Sequence, residues 1–165
     1  MRKHLYFICP TDHLETAISN VFQQENYYLT SLGNSVTFNP EFVEEINLLI
    51  ETNNISEITF ALSDDNRIIM DALKIQDSNN VRDLKNFYDI IIEEKKRQEV
   101  LWQTFDVRIP IISYYLNLKI TELKFQLNNW FTDMIKVNAK IYNRQKNTFN
   151  EINADLLHLE YFSLN

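Results

Sequence analysis

Residues 55–73 read ISEITFALSDDNRIIMDAL. An apolar run with β-type residues, Ile58-Thr59-Phe60-Ala61-Leu62, stops at Ser63-Asp64-Asp65-Asn66 and resumes with helical spacing from Arg67. The front of the chain repeats the switch, where Leu5-Tyr6-Phe7-Ile8-Cys9 runs into Pro10-Thr11-Asp12-His13. Short continuous apolar runs of this kind suit parallel strands covered on both faces. An open α/β sheet places its ligands beyond the carboxyl ends of such strands, so the two polar loops mark the candidate site.

Working outward, Leu5–Cys9 and Ile58–Leu62 are predicted strands, with Tyr27–Leu32 a third that ends at the Gly33-Asn34 turn signal. Between them, a helix is predicted over Asp12–Gln24, capped by Thr11 or Asp12, with Leu14, Ala17, Ile18, Val21 and Phe22 on one face. Asn39-Pro40-Glu41 opens the next helix with a cap, a proline at the first helical position and an acid in the first turn. A helix over Arg67–Ile75 follows the third strand. Alternation of strand and helix predicts a parallel sheet flanked by helices.

The second half is more helical. Val81–Phe105 carries an apolar stripe around a charged middle, and Pro110 interrupts the pattern. Ile112, Leu116, Ile120, Leu123, Leu127, Trp130 and Met134 then recur every three or four residues, the spacing of a long amphipathic helix. Val137, Ala139 and Ile141 alternate as in a strand, and Phe149–Ile152 closes a hairpin across the polar turn Asn143–Asn147.

Composition bounds the function. The 165 residues fit a single domain, 1–165, and 45% of them are hydrophobic, enough for a packed core. A net charge of -7 argues against nucleic acid, because phosphate neutralisation needs clustered lysine and arginine. The basic cluster Lys95-Lys96-Arg97 follows Glu93-Glu94 and reads as a solvated helix face. No apolar run approaches the ~20 residues of a membrane span. Arg2 and Lys3 before Leu5–Cys9 imitate a signal peptide, but that run is shorter than the ~7–15 residues required, so a cytoplasmic protein is expected. The single cysteine excludes an intrachain disulfide, and a single glycine excludes the Gly-rich phosphate loops.

The order of elements resembles the β-class carbonic anhydrases. Phe7-Ile8-Cys9-Pro10-Thr11-Asp12-His13-Leu14 is similar to that family's first zinc motif, a cysteine followed by x-Asp-x-Arg. Leu29–Val36 resembles its Arg-Asn-Ala-Gly-Asn segment, with Gly33 on the family's glycine. Ile58–Leu73 resembles the strand, His-x-x-Cys loop and helix that bring the other two ligands, and Ile135–Asn143 resembles the closing strand. The resemblance covers about Leu5–Leu73 and Leu116–Ile152, and it implies the family's α/β fold with a parallel sheet, a long helix and a closing hairpin strand.

The family's chemistry does not carry over with it. On that alignment the three zinc ligands fall on Pro10, Ser63 and Asn66, and the arginine paired with Asp12 falls on Leu14. Zinc favours thiolate and imidazole; proline offers no side-chain donor, and serine and asparagine are weak neutral ones. A slip of one residue would bring Cys9 to the first position but leave two ligands missing. His4 stands at the wrong end of its strand, and His158 lies in the tail. Without zinc no bound water is acidified to attack CO2.

Two classes of function remain. The first is a non-catalytic carbonic-anhydrase-like protein, without cofactor, that binds a small ligand or a protein partner and forms a homodimer through the aromatic-rich helix Tyr114–Phe131. The second is an enzyme of altered chemistry, a hydrolase or lyase. Its altered pocket of Thr11, Asp12, His13, Ser63, Asp64, Asp65 and Asn66 would hold an oxygen-preferring metal on Asp12, Asp64 and Asp65. The plainer reading of these acids is that they cap the helices they precede.

Overall fold

A computed structural model describes residues 3–75, 84–101, 106–127 and 134–152 of the chain. Five strands, β1 (Lys3–Ile8), β2 (Glu25–Thr30), β3 (Ile55–Ser63), β4 (Lys136–Asn143) and β5 (Thr148–Glu151), form one sheet in the order β2-β1-β3-β4-β5. The first four are mutually parallel, and β5 returns antiparallel along β4 as the closing hairpin strand. The helices are α1 (Glu15–Val21), α2 (Pro40–Asn53), α3 (Arg67–Lys74), α4 (Lys85–Leu101) and α5 (Arg108–Gln126).

The period-two alternation of the strands divides the core into two unequal halves. Leu5, Phe7, Ile58, Phe60, Leu62, Val137, Ala139 and Ile141 point to the face covered by α2 to α5. On that face the rings of Phe7 and Phe60 stack at 4.7 Å and Phe38 meets both edge-on. Among the described residues, α1 is the helix on the opposite face, with Tyr6, Ile8, Ala61 and Tyr142 against Leu14 and Ile18.

Three boundaries differ from the sequence expectation. The first helix does not begin at Asp12. Pro10–Asp12 forms a 3-10 turn, His13 adopts the left-handed conformation (φ 53), and α1 starts only at Glu15 without a side-chain cap. The Asp12 carboxylate is not free to cap it, for reasons given below. The second strand ends at Thr30, and Leu32–Asn34 curls into another 3-10 turn with Gly33 at φ 60. A Cβ on Gly33 would lie 2.9 Å from the Phe87 ring, so this glycine is required by both conformation and space. Finally, α5 stops at Gln126 with Leu127 extended rather than running on to Met134, and Pro110 sits in its first turn, where a missing N–H costs no helical hydrogen bond. Val81, Phe105 and Trp130 lie outside the described residues.

Beneath α1, the sheet buries a directed polar chain at the amino ends of its strands. Gln24 donates to His4 Nδ1 (2.8 Å), so the neutral ring donates from Nε2 to Thr59 Oγ1 (2.7 Å). Thr59 donates to Asn138 Oδ1 (2.5 Å), and Asn138 Nδ2 donates to Glu57 (2.5 Å). The His4 ring also stacks on Tyr6 at 4.2 Å. Burial holds the His4 pKa down to about 4, outweighing the pull of Glu57 and assisted by Lys140 and Lys136. A histidine with a depressed folded pKa contributes stability above its ordinary value that is lost as pH falls through the folded one. The urea midpoint is therefore expected to drop between pH 6.5 and about 4, and a His4→Gln variant should be flatter across that window. Parallel pH profiles for the two proteins would contradict this.

Candidate functional site

Both polar loops meet at the carboxyl rim of the sheet, because β1 and β3 are parallel neighbours. Their join is a single carboxylate. Asp12, 1% exposed, accepts from the Ser63 N–H (2.8 Å) on one oxygen and from Asn66 Nδ2 (2.9 Å) on the other. Burial pushes the Asp12 carboxyl above its ordinary value, against the opposing effects of these two hydrogen bonds and of Arg144. Asn66 serves two elements at once: its Oδ1 caps α3 by accepting from Ile69 N (3.0 Å) while its Nδ2 holds Asp12.

Under this junction, Gly33 N donates to the buried Cys9 Sγ (3.1 Å), which also meets Thr11 Oγ1 at 3.0 Å. Asn34 Nδ2 donates to Phe7 O (3.2 Å) and Ala61 O (3.1 Å), tying the ends of β1 and β3 together. Tyr115 on α5 donates to Asn34 O (2.9 Å). The turn marked by Gly33 is thus the floor of the site.

The roof is Arg144, in the turn between β4 and β5. Its guanidinium pairs with Asp65 (3.0 Å) and donates to Asp12 O (3.1 Å) and Ser63 Oγ (3.4 Å). Ser63 Oγ in turn donates to Asp65 Oδ1. Partial burial would raise the Asp65 pKa, but the hydrogen bonds from Ser63 and Arg144 bring it below the ordinary value. Arg144 was not singled out from sequence. The signal lay in the register: Tyr142 pairs with Ser63, so a cation two residues further on must reach the same rim.

Of the sequence-derived pocket, the structure brings Asp12, Ser63 and Asn66 into direct contact and sets Asp65 beside them through Ser63. Thr11 turns to Cys9, and His13 is exposed. Asp64 accepts from the Arg144 backbone N–H, at 3.4 Å. The three aspartates therefore do not converge: Asp12 faces inward to protein donors and Asp65 faces a cation. Nor do they cap helices, since Asn66 caps α3 and α1 lacks a side-chain cap. Among the described residues, no group of three or more His, Cys, Asp or Glu is arranged to hold a metal ion.

No family model matches the chain, and no curated protein does. Solved structures do. A tetrameric β-carbonic anhydrase from Sordaria macrospora superposes with a TM-score of 0.69 at 13% identity, covering 92% of this chain and 80% of that one. The β-carbonic anhydrase CafD of Aspergillus fumigatus gives 0.71 at 11% identity, covering 93% and 90%. The Coccomyxa β-carbonic anhydrase, solved with acetazolamide, gives 0.67 at 10% identity, covering 92% and 72%. The protein has the β-carbonic anhydrase fold.

Zinc, which the fold family implies, does not fit the residues at this rim. Pro10 has no side-chain donor, Ser63 Oγ is committed to Asp65 and Arg144, and both ends of the Asn66 amide are in use. Replacing Asp12 by alanine leaves two buried donors unpaired, at a cost of about 1–3 kcal/mol each. Asp12→Ala is therefore expected to lower the unfolding free energy by about 2–5 kcal/mol, and Asp12→Asn by less because one acceptor survives. Equal urea midpoints for the two variants would contradict that role.

Proposed function

We propose that this chain is a non-catalytic, carbonic-anhydrase-like protein in which zinc binding and CO2 hydration are lost. In this reading residues 1–165 are one domain, cytoplasmic, that acts by binding a small ligand or a protein partner. The observation that carries it is the Asp12 carboxylate. Where the aligned family motif has a cysteine and a histidine, this chain has Pro10 and Ser63, and its Asn66 amide donates to Asp12 at 2.9 Å. Each oxygen of the motif's aspartate already accepts from a protein donor, which argues against a role for it in binding or deprotonating a water.

The altered-chemistry reading fares worse on the same geometry. An oxygen-preferring metal is held by one or more carboxylates free to face it, together with carbonyl oxygens and waters. Asp65 is neutralised by Arg144, and Asp12 is turned away into the protein. No helix among the described residues is long and apolar enough to cross a membrane.

Homodimerisation is part of the proposal, with altered support. The α5 stripe that motivated it is mostly spent inside the chain, on Ile111, Ile112, Tyr115, Leu116 and Leu123. Tyr114 is engaged by Arg97, whose guanidinium lies 4.6 Å from the ring centre. What remains is the tetrameric state named for the Sordaria macrospora relative.

Stopped-flow CO2 hydration by protein purified without chelator and supplied with zinc is expected to equal the buffer rate; a zinc-dependent turnover would refute the reading. Light scattering at micromolar concentration should give twice the 19.7 kDa chain mass, and a monomer would remove the dimer from the proposal.

A further inference from the structure

The buried stripe of α5 runs Ile112, Leu116, Lys119, Leu123, the helical spacing of a core face with one position held by a lysine. Lys119 is only 6% exposed, and burying a cation is costly unless it is paired and hydrogen-bonded. Two partners are present. One is fixed: Lys119 Nζ donates to the Val36 carbonyl at 3.1 Å. The other is movable: Nζ meets Glu122 Oε2 at 2.7 Å, and the Glu122 side chain is 44% exposed against 7% for Lys119. The ammonium also lies 6.0 Å from the Phe38 ring centre and 5.7 Å from that of Tyr115.

This ion pair borders a cavity of about 420 Å³ between α5, the start of α4 and the segment before α2, with walls that include Thr37, Phe38, Asn86, Leu118 and Phe125. A smaller cavity of about 70 Å³ shares Thr37, Asn86 and Lys119 with it. Phe125 stands 85% exposed at this cavity, an aromatic ring in water beside a buried cation.

We propose that this cleft binds a small amphipathic carboxylate, whose acid takes the place of Glu122 on Lys119 and whose apolar body covers Phe38, Leu118 and Phe125. Glu122 is then an internal stand-in for the ligand: it can return to water when displaced, whereas the Val36 carbonyl cannot. The recognition is local, because the chain as a whole carries -7 and repels anions. The cleft shares no residue with the rim of Asp12 and Asn66, so the inference stands whether or not the metal centre is lost.

Amide correlation spectra of the full chain, titrated separately with octanoate, phenylpropionate and octanol, test it. Octanoate or phenylpropionate should saturate with shifts centred on Thr37, Asn86 and Leu118, the better of the two distinguishing a chain from a ring, while octanol should bind at least tenfold more weakly. Lys119→Met places an apolar residue on an apolar stripe and is expected to fold and to weaken carboxylate binding roughly tenfold or more. Glu122→Gln removes the internal competitor and should tighten binding severalfold. The proposal is overturned if neither acid binds, if octanol binds as well as the acids, if Lys119→Met binds like the parent, or if Glu122→Gln weakens binding.

Discussion

The rim of this sheet is organised by one buried carboxylate. Asp12 lies in the turn after β1, yet its carboxylate's hydrogen bonds cross to the last residue of β3 and the loop that follows it. That commitment has local consequences on both sides. It draws Asp12 away from α1, which begins late and uncapped, and it orients the Asn66 amide whose other end starts α3. A buried carboxylate held in this way is costly to disturb, because each lost partner leaves a desolvated donor behind.

In the proposed reading, the same interaction occupies the place of a metal centre. A metal would supply positive charge beside Asp12. Here the neighbouring groups are an amide and a guanidinium: Asn66 from within the loop and Arg144 from the turn after β4. Leu14, which falls on the motif's arginine, is instead fully buried against α1 and the α1-covered face of the sheet. Arg144 also engages Asp65 and Ser63, so one side chain ties the end of β3 and its loop to the turn after β4. Ser63 and Asn66, two of the three positions set against the family's ligands, are here joined through Asp12.

Much of the architecture could be read from hydrophobic periodicity. The continuous apolar runs of β1 and β3, the Asn39-Pro40 start of α2 and the alternation of β4 each declare their element with little help from distant residues. Two of the misread boundaries share a cause: the residue in question is fixed by one far away in the chain. Asp12 is a plausible cap until Ser63 and Asn66 claim it, and Leu32 continues a strand until Gly33 must fit beneath Phe87. The site was legible as a set of positions but not as a geometry. Sequence placed Asp12, Ser63 and Asn66 at one rim, while the opposition of Asp65 and Arg144 depended on strand register. Lys119 was not singled out from sequence, and only the fold shows it buried beside a cleft.

The central claim is that the Asp12–Asn66 hydrogen bond stands where the aligned family has a metal ligand. Calorimetric titration of the chain with zinc, at neutral pH and in a non-coordinating buffer, tests it most directly. The expected result is no saturable site of one ion per chain at micromolar zinc, with Asn66→Ala behaving the same way. One tightly bound zinc per chain, lost on replacing Asn66 or Ser63, would contradict it.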